Sequence, residues 1–317
     1  MKQAVKSLLK SLPPAKRFLA QREKLRSDIR ELRSELKKLQ TEAGMYPPGH
    51  FYSPIPLLED VRKNESRIFD RSLRSIMGVD LNPQGQIELF EQLLPFYAEQ
   101  PFAAAATDSR RFYFDNVYFG YSDAIILYCM IRHAKPRHII EIGSGFSSFA
   151  MLDTNELFFD NRIRFTLIDP FPDRLRSRLR EKDSQVAEIV PQFVQDVELA
   201  RFEQLAAGDI LFVDSSHVSK IASDVNHILF EILPRLAPGV LIHFHDMFYP
   251  FEYPKEWIDI GRTWNEDYIV RAFLQFNSAF KIQIWTHFLG TFYQEKVLAQ
   301  MPLCMKCIGG GLWLKRV

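Results

Sequence analysis

The stretch that most constrains the fold is residues 138–148, whose sequence is HIIEIGSGFSS. It contains a short apolar run, an acidic residue, a turn with two glycines and a segment typical of a helix start. This order predicts a strand, a tight loop and a helix, an arrangement that brings backbone N–H groups up to a ligand. We therefore expect the loop and first helical turn to form a ligand site, with contacts from Gly143, Ser144, Gly145, Phe146, Ser147 and Ser148.

The rest of the chain alternates strand-like and helix-like segments. Strand candidates are residues 139–142, 165–168, 189–194, 210–213, 240–244, 281–286 and 312–315. Helical candidates between the first five strands are residues 147–156, 172–182, 197–206 and 223–236. Near-continuous apolar strands that alternate with helices predict a parallel sheet covered on both faces. The last two strand candidates are joined without an obvious helix. We therefore predict an α/β fold: a Rossmann-like, doubly wound seven-stranded sheet with a C-terminal antiparallel hairpin and an N-terminal helical extension.

The N-terminal part has a different pattern. Residues 1–43 predict a basic helix from about Lys16 with an apolar heptad stripe, formed by Phe18, Leu25, Ile29, Leu32, Leu36 and Leu39. We expect this helix to dimerise or dock, which makes the chain a homo-oligomer. The alternative is a basic surface for anionic lipid or nucleic acid, but acids are mixed with the bases, so we expect no nucleic-acid binding.

The chain divides by composition into three predicted regions. After the helix, residues 44–114 predict a proline- and aromatic-rich linker and a helical cap, with helices near residues 58–72 and 84–99. Residues 115–317 form the α/β domain, which begins with an apolar helix over residues 122–132.

Bulk composition is ordinary, with 47% hydrophobic residues, 25% charged residues and a formal net charge of +1. No apolar run is long enough to cross a bilayer, and the N-terminus lacks the apolar core of a signal peptide. Cys129, Cys304 and Cys307 provide no disulfide framework. We therefore expect a cytoplasmic protein.

The glycine loop by itself fits several nucleotide cofactors. Gly143 and Gly145 match the first two glycines of a dinucleotide fingerprint, but Ser148 takes the third position, where glycine permits close helix–strand packing. Glu141, two residues before the first glycine, would repel a pyrophosphate. A carboxylate at this position suits a ligand with an ammonium group.

Polar residues after later strands narrow the choice of ligand. Asp169 follows the second strand candidate, where it could accept hydrogen bonds from both ribose hydroxyls. Gln195 and Asp196 follow the third candidate and could read an adenine amino group. An adenosine ligand with a cationic tail and no phosphate matches these positions, and S-adenosylmethionine is such a ligand.

These features together resemble a class I S-adenosylmethionine-dependent methyltransferase. The resemblance rests on Glu-x-Gly-x-Gly at 141–145, the acid after strand two, Asp214 after strand four and the terminal hairpin, and it spans about residues 115–317. It implies that Asp214 and Ser215 belong to the cofactor site.

Two further segments are similar to the metal-dependent sugar O-methyltransferases of macrolide biosynthesis. These are Asp214-Ser-Ser-His217 and His245-Asp246. The resemblance implies that His217 is catalytic and that Asp214, His245 and Asp246 hold a divalent metal. Histidine replaces an acid at position 245, which suits a transition metal better than Mg²⁺.

The resemblance implies methyl transfer to a hydroxyl of a sugar or other polar metabolite, so that the partner is a small-molecule or glycan acceptor. A hydroxyl is a weak nucleophile at neutral pH, and His217 is the expected base. Aromatic residues in segments 247–257 and 264–268 predict the acceptor pocket. The alternatives are an NAD(P)-dependent oxidoreductase on a similar fold and a non-catalytic module that assembles through the heptad helix.

Overall fold

The computed structural model describes residues 13–42 and 44–317, with the side chains of residues 17–38 and 44–317. The first twelve residues of the predicted N-terminal region, and residue 43, lie outside the described residues. The chain forms two compact units, residues 1–64 and 65–317. The division into regions ending at residues 43 and 114 stays a prediction.

In the first unit, helix α1 spans Pro13–Glu42 and a short helix α2 spans Leu58–Lys63. Helix α1 begins three residues before the predicted start, because proline in the first turn fixes φ and has no N–H to leave unpaired. All described side chains of α1 except Leu19 are exposed, including those of the apolar heptad stripe from Phe18 to Leu36, whereas the side chain of Leu39 lies outside the described residues. Between the helices, the proline-rich segment is irregular.

The second unit contains a seven-stranded sheet in the order β3-β2-β1-β4-β5-β7-β6. The strands are β1 His138–Ile142, β2 Arg164–Ile168, β3 Ala187–Val190, β4 Ile210–Val213, β5 Leu241–Phe244, β6 Phe280–Trp285 and β7 Leu312–Arg316. Strands β1 to β5 are parallel, whereas β7 is antiparallel to both β5 and β6. The predicted Rossmann-like sheet with its antiparallel C-terminal pair is confirmed.

Ten α-helices of the second unit connect or cover these strands. They are α3 Glu65–Ile68, α4 Pro83–Tyr97, α5 Tyr121–Ala134, α6 Phe146–Phe158, α7 Asp173–Arg176, α8 Asp224–His227, α9 Lys255–Asp259, α10 Glu266–Leu274, α11 Thr286–Phe292 and α12 Gln294–Gln300. Helix α8 continues as a π-helical turn over Ile228–Ile232 and a 3₁₀ turn over Leu233–Arg235. Ten successive residues of α5 are buried, from Ser122 to Ile131, as expected of a helix that is apolar on all sides.

Three predicted connections between strands differ from the structure. Segment 172–182 forms the one-turn α7 and the start of a 3₁₀ helix over Glu181–Gln185, because Leu175 is the only buried residue of α7 and little packing holds a longer helix. Segment 197–206 forms a 3₁₀ helix over Leu199–Gln204. The connection between β6 and β7 is helical, since the buried residues Trp285, Phe288 and Leu289 have the three-to-four-residue spacing of a helix.

The topology of the sheet indicates the edge at which a ligand is expected to bind. The carboxyl ends of β1 to β5 lie on one edge, and the chain order reverses between β1 and β4, which is where open α/β sheets bind ligands. Within the described ranges, no helix is long and apolar enough to cross a membrane.

Candidate active site

A cavity of about 330 Å³ lies at this reversal point, against the ends of β1, β2 and β4. Its walls include backbone, carboxylate, hydroxyl and aromatic groups. The lining residues that matter below are Gly143, Asp169, Phe171, Gln192, Phe193, Asp214, Ser215 and Asp224.

Gly143 joins the strand ends beneath the cavity. Its N–H donates to the carbonyl of Ile168 at 2.9 Å, and the N–H of Asp214 donates to the carbonyl of Ile142 at 2.9 Å. The φ angle of Gly143 is +81°, and a Cβ there would lie 1.8 Å from the carbonyl oxygen of Asp214. Only glycine fits this position, both for its conformation and for the close approach of two backbones.

Glu141 lies behind the loop and is fully buried, so the structure does not place it on the cavity wall. The hydroxyl of Ser147 donates to one carboxyl oxygen at 2.5 Å, and the hydroxyl of Ser148 donates to the other. Ser148 Oγ in turn accepts from the N–H of Gly145 at 3.0 Å. Burial raises the pKa of Glu141 to about 8, although the serine hydrogen bonds oppose the shift. In this conformation Glu141 fixes the loop rather than facing a ligand.

The remaining loop residue, Phe146, turns away from these hydrogen bonds. Its ring stacks on Tyr118 with centroids 5.5 Å apart. The guanidinium carbon of Arg174 lies 4.0 Å from the centre of the Tyr118 ring, on which Phe146 stacks. Phe146 therefore belongs to an aromatic cluster in which Arg174 covers the glycine loop near Gly145.

Asp169 lines the cavity at the end of β2, as predicted from the sequence. Its carboxylate accepts the N–H groups of Ser144 at 3.0 Å and Phe171 at 2.7 Å, and it keeps further lone pairs for a ligand. The hydroxyl oxygens of Ser144 and Ser215 are buried, with no hydrogen-bond partner in the described part of the chain. Because buried polar groups are normally paired, these two orphans fit a polar ligand bound at the loop.

Gln195 and Asp196 do not lie at the cavity, so the strand end on which their prediction rested is wrong. Strand β3 stops at Val190 because Pro191 follows and cannot donate to the sheet. Gln195 donates to the carbonyl of Ala222 at 2.8 Å, and Asp196 lies exposed in a 3₁₀ turn. The proline directly after the apolar run was the signal for the true strand end.

Gln192 and Phe193 line the cavity in their place. The ring of Phe193 lies edge-to-face with that of Phe171, 6.1 Å between centroids, and both rings are more than half exposed. Two exposed aromatic rings at a cavity wall offer a surface on which a flat ring can stack.

His217 follows β4 by four residues and is almost fully buried. Its Nδ1 lies 2.8 Å from Glu266 Oε2, and its Nε2 lies 3.3 Å from Asp214 Oδ1. The carbonyl of His217 accepts the N–H of Glu266, which fixes the start of α10 against the imidazole. Trp264 stacks on the ring with centroids 4.3 Å apart. Sequence analysis missed Glu266; its only signal was a Glu-Asp pair in the first turn of a predicted helix.

The two carboxylates set the charge of His217. Burial would lower its pKa, but the hydrogen bonds to Asp214 and Glu266 raise the pKa well above 6.5. Burial likewise would raise the pKa of Asp214, but the charges of His245 and His217 hold it below its ordinary value. The two carboxylates therefore favour the protonated imidazole in the ligand-free site.

The predicted metal ligands do not meet at one point. His245 Nε2 lies 3.7 Å from Asp246 Oδ1, and Asp246 Oδ2 lies 3.9 Å from His217 Nε2. The His245 ring packs against Phe119 at 5.1 Å. Across residues 13–42 and 44–317, no three His, Cys, Asp or Glu side chains are placed to hold a metal. The donor set does not fit a metal in this conformation, and we derive no step through one.

A second buried acid, Asp123 in the first turn of α5, borders this cluster. It packs against the glycines before β7: a Cβ on Gly309 would lie 2.0 Å from Asp123 Oδ2. Burial raises the pKa of Asp123 to about 6, although the charge of His245 opposes the shift. By contrast, His243 is a core residue: it stacks on Phe212 at 4.1 Å, and burial lowers its pKa well below 6.5.

The aromatic segment after β5 divides into two parts. Met247, Tyr249, Phe251 and Tyr253 are buried, and much of the segment is simply packed. The half-exposed ring of Trp257 instead meets Trp264 edge-to-face at 5.3 Å. The guanidinium of Arg262 lies over both rings, 4.2 Å from Trp257 and 4.6 Å from Trp264. Because Trp264 also stacks on His217, this cation–aromatic cluster lies directly beside the buried imidazole.

The chain was compared with known proteins. Residues 140–247, from β1 to just past β5, match the family model described as a methyltransferase domain. An uncharacterised protein of Archaeoglobus fulgidus is 37% identical over 165 residues, which are 51% of this chain and 74% of the archaeal protein.

Two solved structures show weaker similarity. The O-methyltransferase TomG from Streptomyces achromogenes, solved with S-adenosylmethionine, is 17% identical over 74% of this chain and 96% of its own, with a TM-score of 0.39. CmcI is 16% identical over 71% of this chain and 84% of its own, with a TM-score of 0.41. Scores this low do not bear on activity.

The family match and the strand order agree with each other. Residues 140–247 belong to the methyltransferase-domain family, and the chain is a class I S-adenosylmethionine-dependent methyltransferase, which confirms the resemblance seen in the sequence. The nicotinamide alternative is not supported. The narrower similarity to the macrolide-sugar enzymes stays a prediction.

Proposed function

We propose that the chain methylates a hydroxyl group of a sugar or other polar metabolite, with His217 as the residue that takes the hydroxyl proton. The observation that carries the proposal is the side-chain series Glu266–His217–Asp214 at the end of β4, beside the cofactor cavity. A buried carboxylate on one nitrogen of an imidazole orients the ring, so that the other nitrogen can exchange a proton with a substrate.

The cavity residues divide the cofactor among them. Asp169 receives the ribose hydroxyls, and the exposed rings of Phe171 and Phe193 take the adenine, with Gln192 at its edge. The loop around Gly143, with the unpaired hydroxyls of Ser144 and Ser215, holds the amino-acid end. When bound, S-adenosylmethionine supplies a methyl group on a positively charged sulfur, which the acceptor oxygen takes as the carbon–sulfur bond breaks and its electron pair stays on sulfur.

His217 must lose a proton before it can act as a base. A positive charge in the cavity next to Asp214 competes for that carboxylate and disfavours a second cation nearby, so it lowers the pKa of His217. The ring then stays bound to Glu266 through Nδ1–H, while Nε2 is free to accept the hydroxyl proton. The charged state of the ligand-free site is thus compatible with a base that becomes active once the cofactor is bound.

The acceptor lies on the other side of His217 from β4. Trp257 and Trp264 present half-exposed rings there, and sugar and flat rings stack on such surfaces. Arg262, whose guanidinium lies over both rings, has hydrogen-bond donors at its edge for a polar acceptor.

Calorimetric titration tests the cofactor part of the proposal. Purified protein is titrated with S-adenosylmethionine, S-adenosylhomocysteine and NADH, and heat is expected with the two adenosyl ligands only. The variant Asp169→Ala should weaken adenosyl binding, whereas Asp196→Ala, exposed and away from the cavity, should not. Equal effects of the two variants would contradict the placement of the ribose.

The base is tested separately once an acceptor has been found by screening hydroxylated sugars and metabolites with radiolabelled cofactor. His217→Gln should bind S-adenosylhomocysteine as the parent protein does and lose methyl transfer by about 10²–10⁴-fold. Full turnover of this variant would rule out His217 as the base. Methylation confined to amines or thiols in the screen would rule out the hydroxyl acceptor.

A further inference from the structure

Helix α1 carries an apolar stripe for which its own unit provides no cover. Phe18, Leu25, Ile29, Leu32 and Leu36 are between 46% and 66% exposed. A single helix in water gains nothing from packing, and most helical stability in proteins comes from burying an apolar face. We propose that this stripe binds the same stripe of a second copy of the chain, forming a parallel two-stranded coiled coil.

The spacing fixes the heptad register. With Leu25 and Leu32 at d positions, Phe18 also falls at d, and Ile29 and Leu36 fall at a. A β-branched residue at a combined with leucine at d favours two strands over three or four. Arg22 occupies the remaining a position, and a polar residue there selects the oligomeric state at a cost in stability.

The charged residues beside the stripe fix the orientation. The charged e positions are Arg26 and Arg33 and the charged g positions are Asp28 and Glu35, whereas Leu19 at e and Gln21 at g are uncharged, so that the charges of one flank are basic and those of the other acidic. In a parallel pair, each g residue faces the e residue five positions further on in the other helix, which brings Asp28 to the second copy's Arg33. In an antiparallel pair, g faces g and e faces e, so acid would meet acid and base would meet base. The pattern therefore selects a parallel second copy.

A membrane surface fits this helix less well. An interfacial helix is basic over its polar face, whereas the polar face of α1 also carries Glu23, Asp28, Glu31 and Glu35. Acids on the polar face weaken binding to anionic lipid but contribute to pairing between two helices.

The mass of the full-length chain in solution is the first test. Sedimentation velocity over a concentration series should show a species of twice the 37.0 kDa of one chain. The variant Leu25→Gln, Leu32→Gln should weaken dimerisation by about a hundredfold or more, because four buried leucines per dimer are lost. The matched control is Ser27→Gln, Ser34→Gln, on the opposite side of the same helix, and it should remain a dimer.

Unchanged S-adenosylhomocysteine binding and circular dichroism in all variants will show that the chain has folded. A monomeric parent protein at about 50 µM, well above the dissociation constants of stable pairs, would overturn the proposal. A trimer, or a dimer that survives the double leucine substitution, would do so as well.

A charge-exchange cycle tests the orientation. Asp28→Arg and Arg33→Asp should each weaken the dimer by about three- to tenfold, and the combined variant should restore most of the loss. In an antiparallel pair residues 28 and 33 would not face each other, so the effects of the two substitutions would add and the combined variant would restore nothing. Strengthening by the single variant, or no recovery in the double variant, would overturn the parallel arrangement.

Discussion

The two sides of the active-site edge are built in different ways. On the cofactor side, the loop after β1 is a local structure: Glu141, Gly145, Ser147 and Ser148 lie within eight residues and are hydrogen-bonded to one another. On the acceptor side, His217 depends on Asp214 after β4, Glu266 on α10 and Trp264 before that helix. We expect the loop after β1 to lose cofactor affinity sharply when its backbone is altered. The cluster around His217 should instead lose activity stepwise as its partner residues are removed.

The strongest test of this difference replaces one glycine by alanine on each side of the active-site edge. Gly143→Ala should reduce S-adenosylhomocysteine affinity by about a hundredfold or more, because its Cβ would lie 1.8 Å from a backbone oxygen and the β1 and β4 ends must separate. Calorimetric titration measures the loss.

Gly261→Ala is the matched control, since Gly261 has nearly the same φ, +82°, with nothing within 4 Å of a built Cβ. It should cost about 1 kcal/mol of stability, from backbone strain alone, and leave cofactor affinity unchanged. Equal loss of affinity in both variants would show that the positive φ, rather than the close backbone approach, makes Gly143 necessary.

The next largest effect is expected from Glu266→Gln on the acceptor side. The variant lacks a carboxylate that raises the pKa of His217, so the imidazole should lose its proton at a lower pH. The ring should also be less well oriented. Methyl transfer should fall by about tenfold or more at its optimum, and the acid limb of the pH–rate profile should move to lower pH.

The exposed Glu295→Gln on α12 is the control for Glu266→Gln, and it should change neither rate nor profile. Cofactor affinity should also be unchanged in Glu266→Gln, because Glu266 does not line the cavity. A rate loss with no movement of the acid limb would mean that Glu266 supports the fold and does not tune His217.

Glu141, behind the glycine loop, leads to a separate prediction about how the stability of the fold depends on pH. With a pKa raised to about 8 in the fold, the carboxyl keeps its proton between its ordinary pKa and about 8, where the unfolded chain has lost it. The folded state then binds more protons than the unfolded state, so Glu141 lowers stability as pH rises through this window, by about 1 kcal/mol per pH unit. Above pH 8 the loss is complete.

Glu141→Gln should remove this contribution, because an amide does not titrate. The melting temperature of the variant relative to the parent protein should therefore rise between pH 5.5 and pH 8.5, and scanning calorimetry measures it. Glu295→Gln should show no such trend. A constant difference at both pH values would show that Glu141 is ionised in the fold, hydrogen-bonded to the two serines as a carboxylate.

The same contrast explains what the sequence could predict. The loop at 141–148, the alternation of strands and helices and the position of Asp169 followed from residues close together in the chain, where periodicity and glycine spacing decide the structure. Gln195 and Asp196 were misplaced because the strand boundary was set by apolar character and Pro191 was ignored. Glu266 lies forty-nine residues from His217, and no local pattern indicates which acid a folded sheet brings to a distant histidine.

The smallest expected effect is that of metal removal, which tests whether the cluster around His217 works without an ion. Asp214, His245 and Asp246 were expected to share an ion, yet in the structure the imidazole of His217 lies between the two aspartates, 3.3 Å and 3.9 Å from their nearest oxygens. An ion would have to displace this imidazole from Asp214, which breaks a charge-assisted hydrogen bond. We therefore expect methyl transfer to stay within about twofold after treatment with chelator and dialysis, since the proposed mechanism uses His217 alone as the proton acceptor. Loss of activity that Mg²⁺ or Mn²⁺ restores would show that the cluster rearranges when the acceptor binds, and that His217 then leaves Asp214 to an ion.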